Sequence, residues 1–151
     1  MAEPEADLGI VDALTQLSFL VQGTLAKHAA TQELSMIQTR LLGVLRDREP
    51  TMQELARLLE LDKSSVTGLV DRAERRGLVQ RAPSTDDRRA IRVKLTSQGR
   101  RVVRSVEAAF EAELASATAC LSSAEQGRLS RLATRVVSDR MAAPESRLGA
   151  R

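Results

Sequence analysis

The chain has 151 residues, with 23 Lys/Arg against 20 Asp/Glu, 42% hydrophobic and 28% charged residues. That balance is ordinary for a soluble globular protein and long enough to bury a core, so one domain over 1–151 is expected. There is no Trp or Tyr, and Phe19 and Phe110 are the only Phe. A single-strand binder that stacks bases on aromatic platforms is therefore excluded, and the core must be built from Leu, Val and Ala.

Further exclusions come from the sparse reactive residues. Cys120 is alone, so no intrachain disulfide can form, and a reducing compartment fits. The opening MAEPEADLG carries no apolar signal segment, and no run approaches the ~20 apolar residues of a membrane span. A cytoplasmic location without membrane attachment is expected. With one His and one Cys there is no ligand cluster for a transition metal. No His-based triad, G-x-G-x-x-G or Walker A motif is present, so neither an enzyme nor a cofactor is expected.

Taken in order, apolar residues at 8, 11, 14, 17, 21 and 25 predict a first helix from Leu8 to about Ala30. Ser35 with Gln38 three residues on is a capping box opening a second helix through Leu45. Thr51 with Glu54 is another, opening a third helix to near Leu61. Asp62 is a good N-cap for a fourth helix, which Gly77 closes as the left-handed residue beyond its end. Leu78 to Arg81 is short and strand-like, and Ala82 to Ala90 is a polar loop. Ile91, Val93 and Leu95 alternate with Arg92 and Lys94, as a half-buried strand does. Thr96 caps a long fifth helix with apolar positions at 102, 103, 106, 109, 110, 114, 117 and 121. Ser122 and Glu125 form a last capping box, before a sixth helix carrying Leu129, Leu132, Ala133, Val136 and Val137 to about Met141. The fold class is mainly α with a small β-hairpin wing: a helix-turn-helix module at about 35–96, flanked by long helices at about 8–30 and 97–141.

The charge is not spread evenly. From Asp62 to Arg101 there are eleven Lys/Arg against five Asp/Glu, a net +6 in a chain whose total is +3. Concentrated positive charge on one module is the electrostatic footprint expected for phosphate binding. On the fourth helix, Val66, Leu69, Val70 and Ala73 fall on one side, with Ser64, Gly68, Asp71 and Arg75 roughly opposite and Thr67 and Arg72 flanking. Small polar residues near the start of such a helix can approach base edges, and the arginines can reach phosphates or guanine. A solvated helix face would look similar in isolation. The position behind a short capped helix and ahead of a hairpin favours a recognition helix in duplex DNA. The candidate DNA contacts on it are Lys63, Ser64, Ser65, Thr67, Gly68, Asp71, Arg72 and Arg75. At the hairpin tip, Asp87, Arg88 and Arg89 complete the set. A guanidinium there suits a narrow minor groove, and Asp87 can hold Arg89 in place. A winged helix used only for protein contacts is the competing reading. The +6 segment argues against it, because protein interfaces deplete charge at their centre.

SSVTGLVDRAERRGLVQR followed by DDRRAIRVKLTSQG resembles the MarR family of bacterial transcription regulators. The resemblance spans roughly residues 8–141 and is most specific at Ser64 to Arg72 and at Asp87, Arg89, Leu95 and Thr96. It implies a homodimer joined through the first, fifth and sixth helices, bound to a pseudo-palindromic operator. It further implies a repressor relieved by a small molecule or an oxidant. An effector pocket between the first, second and fifth helices is expected to include Leu25, Leu41 and Phe110. His28 is either a wall of that pocket or, as the reading prefers, a residue that settles the end of the first helix. Redox-sensing members carry a reactive Cys in the first helix, and this chain has none there. Cys120 is expected to be a small buried hydrophobe on the fifth-helix stripe, with a redox role as the alternative.

Overall fold

A computed structural model of the chain describes residues 7–83 and 90–142. Six helices and one hairpin follow in the order α1 Gly9–Ala30, α2 Met36–Asp47, α3 Met52–Leu59, α4 Lys63–Arg75, β1 Val79–Pro83, β2 Ile91–Leu95, α5 Ser97–Ala117 and α6 Ser123–Ala142. The chain divides into two compact units, Met1–Glu113 and Leu114–Arg151.

The helix starts are set by side chains that satisfy the orphan amides of the first turn. Ser35 and Thr51 both form complete capping boxes, with Gln38 and Glu54 returning the bond to the cap residue's own N–H. Asp62 accepts from the Ser65 N–H at 2.8 Å and from the Ser64 and Ser65 hydroxyls at 2.6 Å each. Those bonds, led by the one from Ser64, hold its carboxyl well below the usual carboxylate range. Thr96 Oγ1 accepts from Gly99 N–H at 2.9 Å, and Ser122 pairs with Glu125 through both its amide and its hydroxyl.

The third helix stops at Leu59, two residues before Leu61. Glu60 turns left-handed (φ 55°), and the Leu61 N–H reaches back to Ala56 O at 2.9 Å. The reversal places Leu61 against the core and frees Asp62 to cap α4. Gly77 closes α4 at φ 68°. Gly99 is needed for space, because a Cβ there would stand 2.0 Å from Leu78 O.

The hairpin is antiparallel, pairing Val79 with Leu95 through to Pro83 with Ile91. It runs two residues beyond the expected end of β1 at Arg81, because the ladder continues through Ala82 and Pro83. A bridge from Thr51 to Arg92 and a bond from Val93 N–H to Pro50 O add the α2–α3 connection to its edge. Val79, Val93 and Leu95 turn inward onto one core with Leu41, Leu42, Leu45, Leu55, Leu59, Val66, Leu69, Val70, Ala73, Val103 and Val106.

The long helices behave differently. The expected stripe of α1 stays on the surface: Leu8, Val11, Leu14, Leu17 and Val21 are exposed, as are Ile10 and Phe19. On α6, Leu129, Leu132, Val136 and Val137 are exposed. Cys120 departs from its expected place. α5 ends at Ala117, so Cys120 sits in the following turn, with its thiol exposed. No helix among the described residues is long and apolar enough to cross a membrane.

Candidate nucleic-acid interface

α4 carries the centre of the site. Its apolar edge, Val66, Leu69, Val70 and Ala73, is buried as the spacing required. Packing on that edge leaves Lys63, Ser64, Ser65, Thr67, Arg72 and Arg75 exposed and Gly68 half-exposed on the outward face. All three small hydroxyls on that face are oriented: Ser64 and Ser65 donate to Asp62, and Thr67 donates to Lys63 O at 2.7 Å. Ser64, Ser65, Gly68 and Arg72 line a shallow groove of about 360 Å³ with Ile37, Leu61 and Leu69. A Cβ at Gly68 would stand 3.3 Å from the Arg72 guanidinium, so glycine leaves that side chain its place beside the groove. The face therefore offers hydroxyls, a bare backbone segment and cations side by side, the inventory that base edges and phosphates accept.

Asp71 is arranged differently from its neighbours. Its Oδ1 accepts from Arg81 Nη2 at 2.6 Å, while Arg81 Nη1 bonds Glu74 and the Arg81 amide reaches the other Glu74 oxygen at 3.1 Å. Burial works against the Arg81 charge, but its bonds to Asp71 and Glu74 outweigh that and hold its pKa above the ordinary value. Asp71 thus joins α4 to β1, and its charge is balanced before any ligand arrives. Arg81 was not among the candidate residues, although the signal was present. Strand alternation puts residue 81 on the same face as buried Val79, and a cation on an inward face needs an acid to meet it. At the C-cap of α4, Arg76 donates to Gln32 O at 2.9 Å and Glu33 O at 2.8 Å, fixing the same end of the helix to the α1–α2 turn. The wing-tip candidates Asp87, Arg88 and Arg89 lie outside the described residues.

A second concavity, about 290 Å³, opens between α1, α2 and α5. Leu25 and Phe110 line it as expected, together with Leu34, Leu42, Val103 and Val106. Leu41 does not, because its side chain points into the core, where it is fully buried. The neighbouring Leu42 takes the lining position. His28 does not line it either. Its Nε2 lies 2.8 Å from Glu113 Oε2, the same oxygen that accepts from Lys27 Nζ at 2.8 Å. These bonds, Lys27's first, hold the Glu113 carboxyl below its ordinary range. At the pocket mouth Arg46 bridges to Glu107 and is clamped by Asp47, whose hydrogen bond is the main cause of its raised pKa. Among the described residues, no group of three or more His, Cys, Asp or Glu is placed to hold a metal ion.

Comparison with known proteins adds an independent line. A family model described as MarR family matches residues 32–90. The repressor NicR of Pseudomonas putida is 33% identical over 96 residues, covering 58% of this chain and 61% of its own length. The match thus spans about three fifths of that relative. A solved probable transcriptional regulator from Pseudomonas aeruginosa is 30% identical, with 86% of this chain and 98% of that chain covered and a TM-score of 0.65. A mutant of S. aureus MepR, solved bound to an oligodeoxyribonucleotide, shares the fold at 20% identity, covering 85% of this chain and 96% of that one, with a TM-score of 0.62. The family model falls on residues 32–90, which hold the caps of α2, α3 and α4, the buried edge of α4 and the first strand of the hairpin, and the 30% identical solved regulator is covered nearly end to end; this chain belongs to the MarR family.

Proposed function

We propose that this protein is a transcription regulator that binds double-stranded DNA as a homodimer on a pseudo-palindromic operator. The observation that carries the reading is the outward face of α4. Its hydroxyls and cations are presented on a helix whose C-terminal half is tied to the wing by Arg81, through Asp71 and Glu74, and to the α1–α2 turn by Arg76. A helix anchored in this way enters a groove without losing much conformational freedom on binding. The fold shared with a MepR mutant solved on an oligodeoxyribonucleotide supports the same direction. Repression is the proposed output, in line with the name of NicR.

Pairing of two copies is supported by the exposed apolar residues of α1 and α6, which water covers at a cost until a second chain replaces it. Relief by a small molecule is assigned to the α1–α2–α5 pocket. Its walls are mainly apolar, with Arg40, Arg46 and Glu107 beside the aliphatic residues and Phe110, so a largely apolar organic ligand fits better than a strongly polar one. Such a ligand acts only as far as it binds one spacing of the recognition helices better than another.

The test is a fluorescence-anisotropy titration on duplex DNA across salt concentrations. If each subunit neutralises roughly four phosphates, log K falls with log salt with a slope of about −7 for the dimer. At one salt concentration, Arg89→Ala should lose about 1–3 kcal/mol per subunit and Arg88→Ala less. Equal small losses would refute the wing-tip roles, and a salt-independent affinity would refute the electrostatic grip itself.

A further inference from the structure

The two adjacent arginines at the end of α4 are used differently. Arg75 is exposed on the outward face, whereas Arg76, the C-cap residue, is half-buried and reaches the α1–α2 turn. Its Nη1 donates to Glu33 O at 2.8 Å and its Nη2 to Gln32 O at 2.9 Å. One planar guanidinium thus spans two consecutive peptide carbonyls, a fork that a lysine ammonium cannot reproduce.

Those carbonyls are available because of how α1 stops. Glu33 turns left-handed at φ 53°, its N–H bonds Ala30 O at 3.0 Å, and the Leu34 N–H reaches back to Ala29 O at 3.0 Å. The Thr31 hydroxyl donates to His28 O at 2.7 Å. The carbonyls of residues 28 to 30 are therefore satisfied within the helix end itself, and those of Gln32 and Glu33 are met by Arg76. α4 ends in the same pattern: Gly77 at φ 68° bonds Glu74 O at 2.8 Å, and the Leu78 N–H reaches Ala73 O at 3.0 Å. Leu34 and Leu78 both enter the core behind these turns. Each helix end is fixed by its own local bonds, and Arg76 is a polar link from one to the other. One turn earlier on α1, Lys27 and His28 both meet Glu113 of α5, so the end that receives Arg76 is itself held.

α1 has a second involvement. Its N-terminal half carries Val11, Leu14, Leu17 and Phe19, the exposed apolar residues proposed to meet a second chain. The same helix is therefore the proposed dimer contact at one end and the seat of Arg76 at the other. We propose that Arg76 is a positioning residue for operator recognition: without touching DNA, it locks α4 to the end of α1 and so sets the half-site spacing that the dimer accepts. The inference rests on the proposed function as a dimer on a pseudo-palindromic operator. One added base pair moves the half-sites about 3.4 Å apart and rotates them by about a tenth of a turn. Two firmly held α4 helices should refuse that change, and two loosened ones should tolerate it.

The experiment titrates full-length wild type, Arg76→Gln, Arg76→Lys and Arg75→Gln by fluorescence anisotropy, each over a salt series. The probes are a duplex that the wild type enriches from a random-sequence pool, the same duplex with one base pair inserted or removed at its centre, and one half of it alone. The wild type should bind the shifted duplexes about tenfold or more weakly, because the second half-site no longer fits. In Arg76→Gln that discrimination should shrink to about threefold or less, with half-duplex affinity and salt slope unchanged. Arg76→Lys should resemble Arg76→Gln, since it keeps the charge and loses the fork. Arg75→Gln should keep the discrimination and make the salt slope shallower by about one per subunit. Melting temperature is the control, and if Arg76→Gln does not fold, Arg76→Lys carries the same comparison. Full discrimination in a folded Arg76 variant overturns the proposal. A shallower salt slope in Arg76→Gln would make Arg76 a phosphate contact, and an equal loss on every probe would make it a structural tie; either overturns it. A wild type that binds the shifted duplexes as well as the original overturns this inference alone, whereas one that enriches no duplex overturns the proposed function too.

Discussion

The module from α2 to the start of α5 and the N-terminal half of α1 are built from similar aliphatic residues, yet they end in opposite states. In the module, Leu41, Leu55, Val70 and Val93 have no exposed surface, and each helix start is closed by a side-chain cap. On α1, Val11 is 72% and Phe19 65% exposed, in a helix whose N-cap, Leu8, makes no side-chain bond. The first region is complete within one chain. The second is finished only by something that covers it, and a second copy is the proposed cover.

That contrast can be broken on the open side first. Leu17→Asp places a charge in the exposed stripe and should dissociate the proposed dimer while leaving the module folded. Losing the linked second half-site should weaken operator binding on the order of 10²–10⁴-fold. Gel filtration alongside a DNA titration checks it, and a variant still dimeric with full affinity would show that the α1 stripe is not the interface.

On the closed side, Leu41→Ala should cost about 2–5 kcal/mol, because a fully buried Leu leaves a cavity that the surrounding core only partly refills. Leu14→Ala on the exposed stripe should cost a freshly diluted monomer almost nothing. Denaturant melts at low protein concentration distinguish the two, and equal losses would mean that α1 is covered within the single chain.

Arg81→Gln sharpens the link between module and wing. It removes the cation that both acids share and leaves Asp71 and Glu74 uncompensated on the proposed DNA-facing helix. DNA affinity should fall more than stability does, and Asp71→Asn in the same chain should recover part of it. Recovery absent from a double-mutant cycle would reduce Arg81 to a structural tie.

The smallest expected effect concerns the α4 cap. The folded-state pKa of Asp62 is depressed, so its contribution to stability is fully present above the unfolded carboxylate value. It is lost as pH falls through the lower folded value. Asp62→Asn, which keeps an acceptor for the Ser65 amide, should flatten the acid side of the melting curve by a few degrees at most. An identical acid profile in wild type and variant would contradict the assignment.

Local chemistry made much of this legible in the sequence. Ser35/Gln38, Thr51/Glu54 and Asp62 announced three helix starts, because a cap is a bond between near neighbours. The buried edge of α4 followed from spacing alone. What escaped depended on contacts across elements. Arg81 meets Asp71 only once β1 lies along α4, and Leu41 and Leu42 trade core and pocket positions by one step of helix rotation. His28 found Glu113 across 85 residues. Cys120 was misplaced because α5 ends at Ala117, four residues before the last position of its apolar pattern, 121. The proposed site splits along the same line: the α4 face could be drawn from the sequence, whereas its tie to β1 through Arg81 could not.

The central claim is that a complete reading module is carried on helices that need a second chain. Sedimentation velocity of the wild type at micromolar concentration, alone and with an operator duplex, tests it most directly. The account predicts a dimer that loads two chains onto one duplex. A stable monomer that binds the duplex one chain at a time with the same affinity would contradict it.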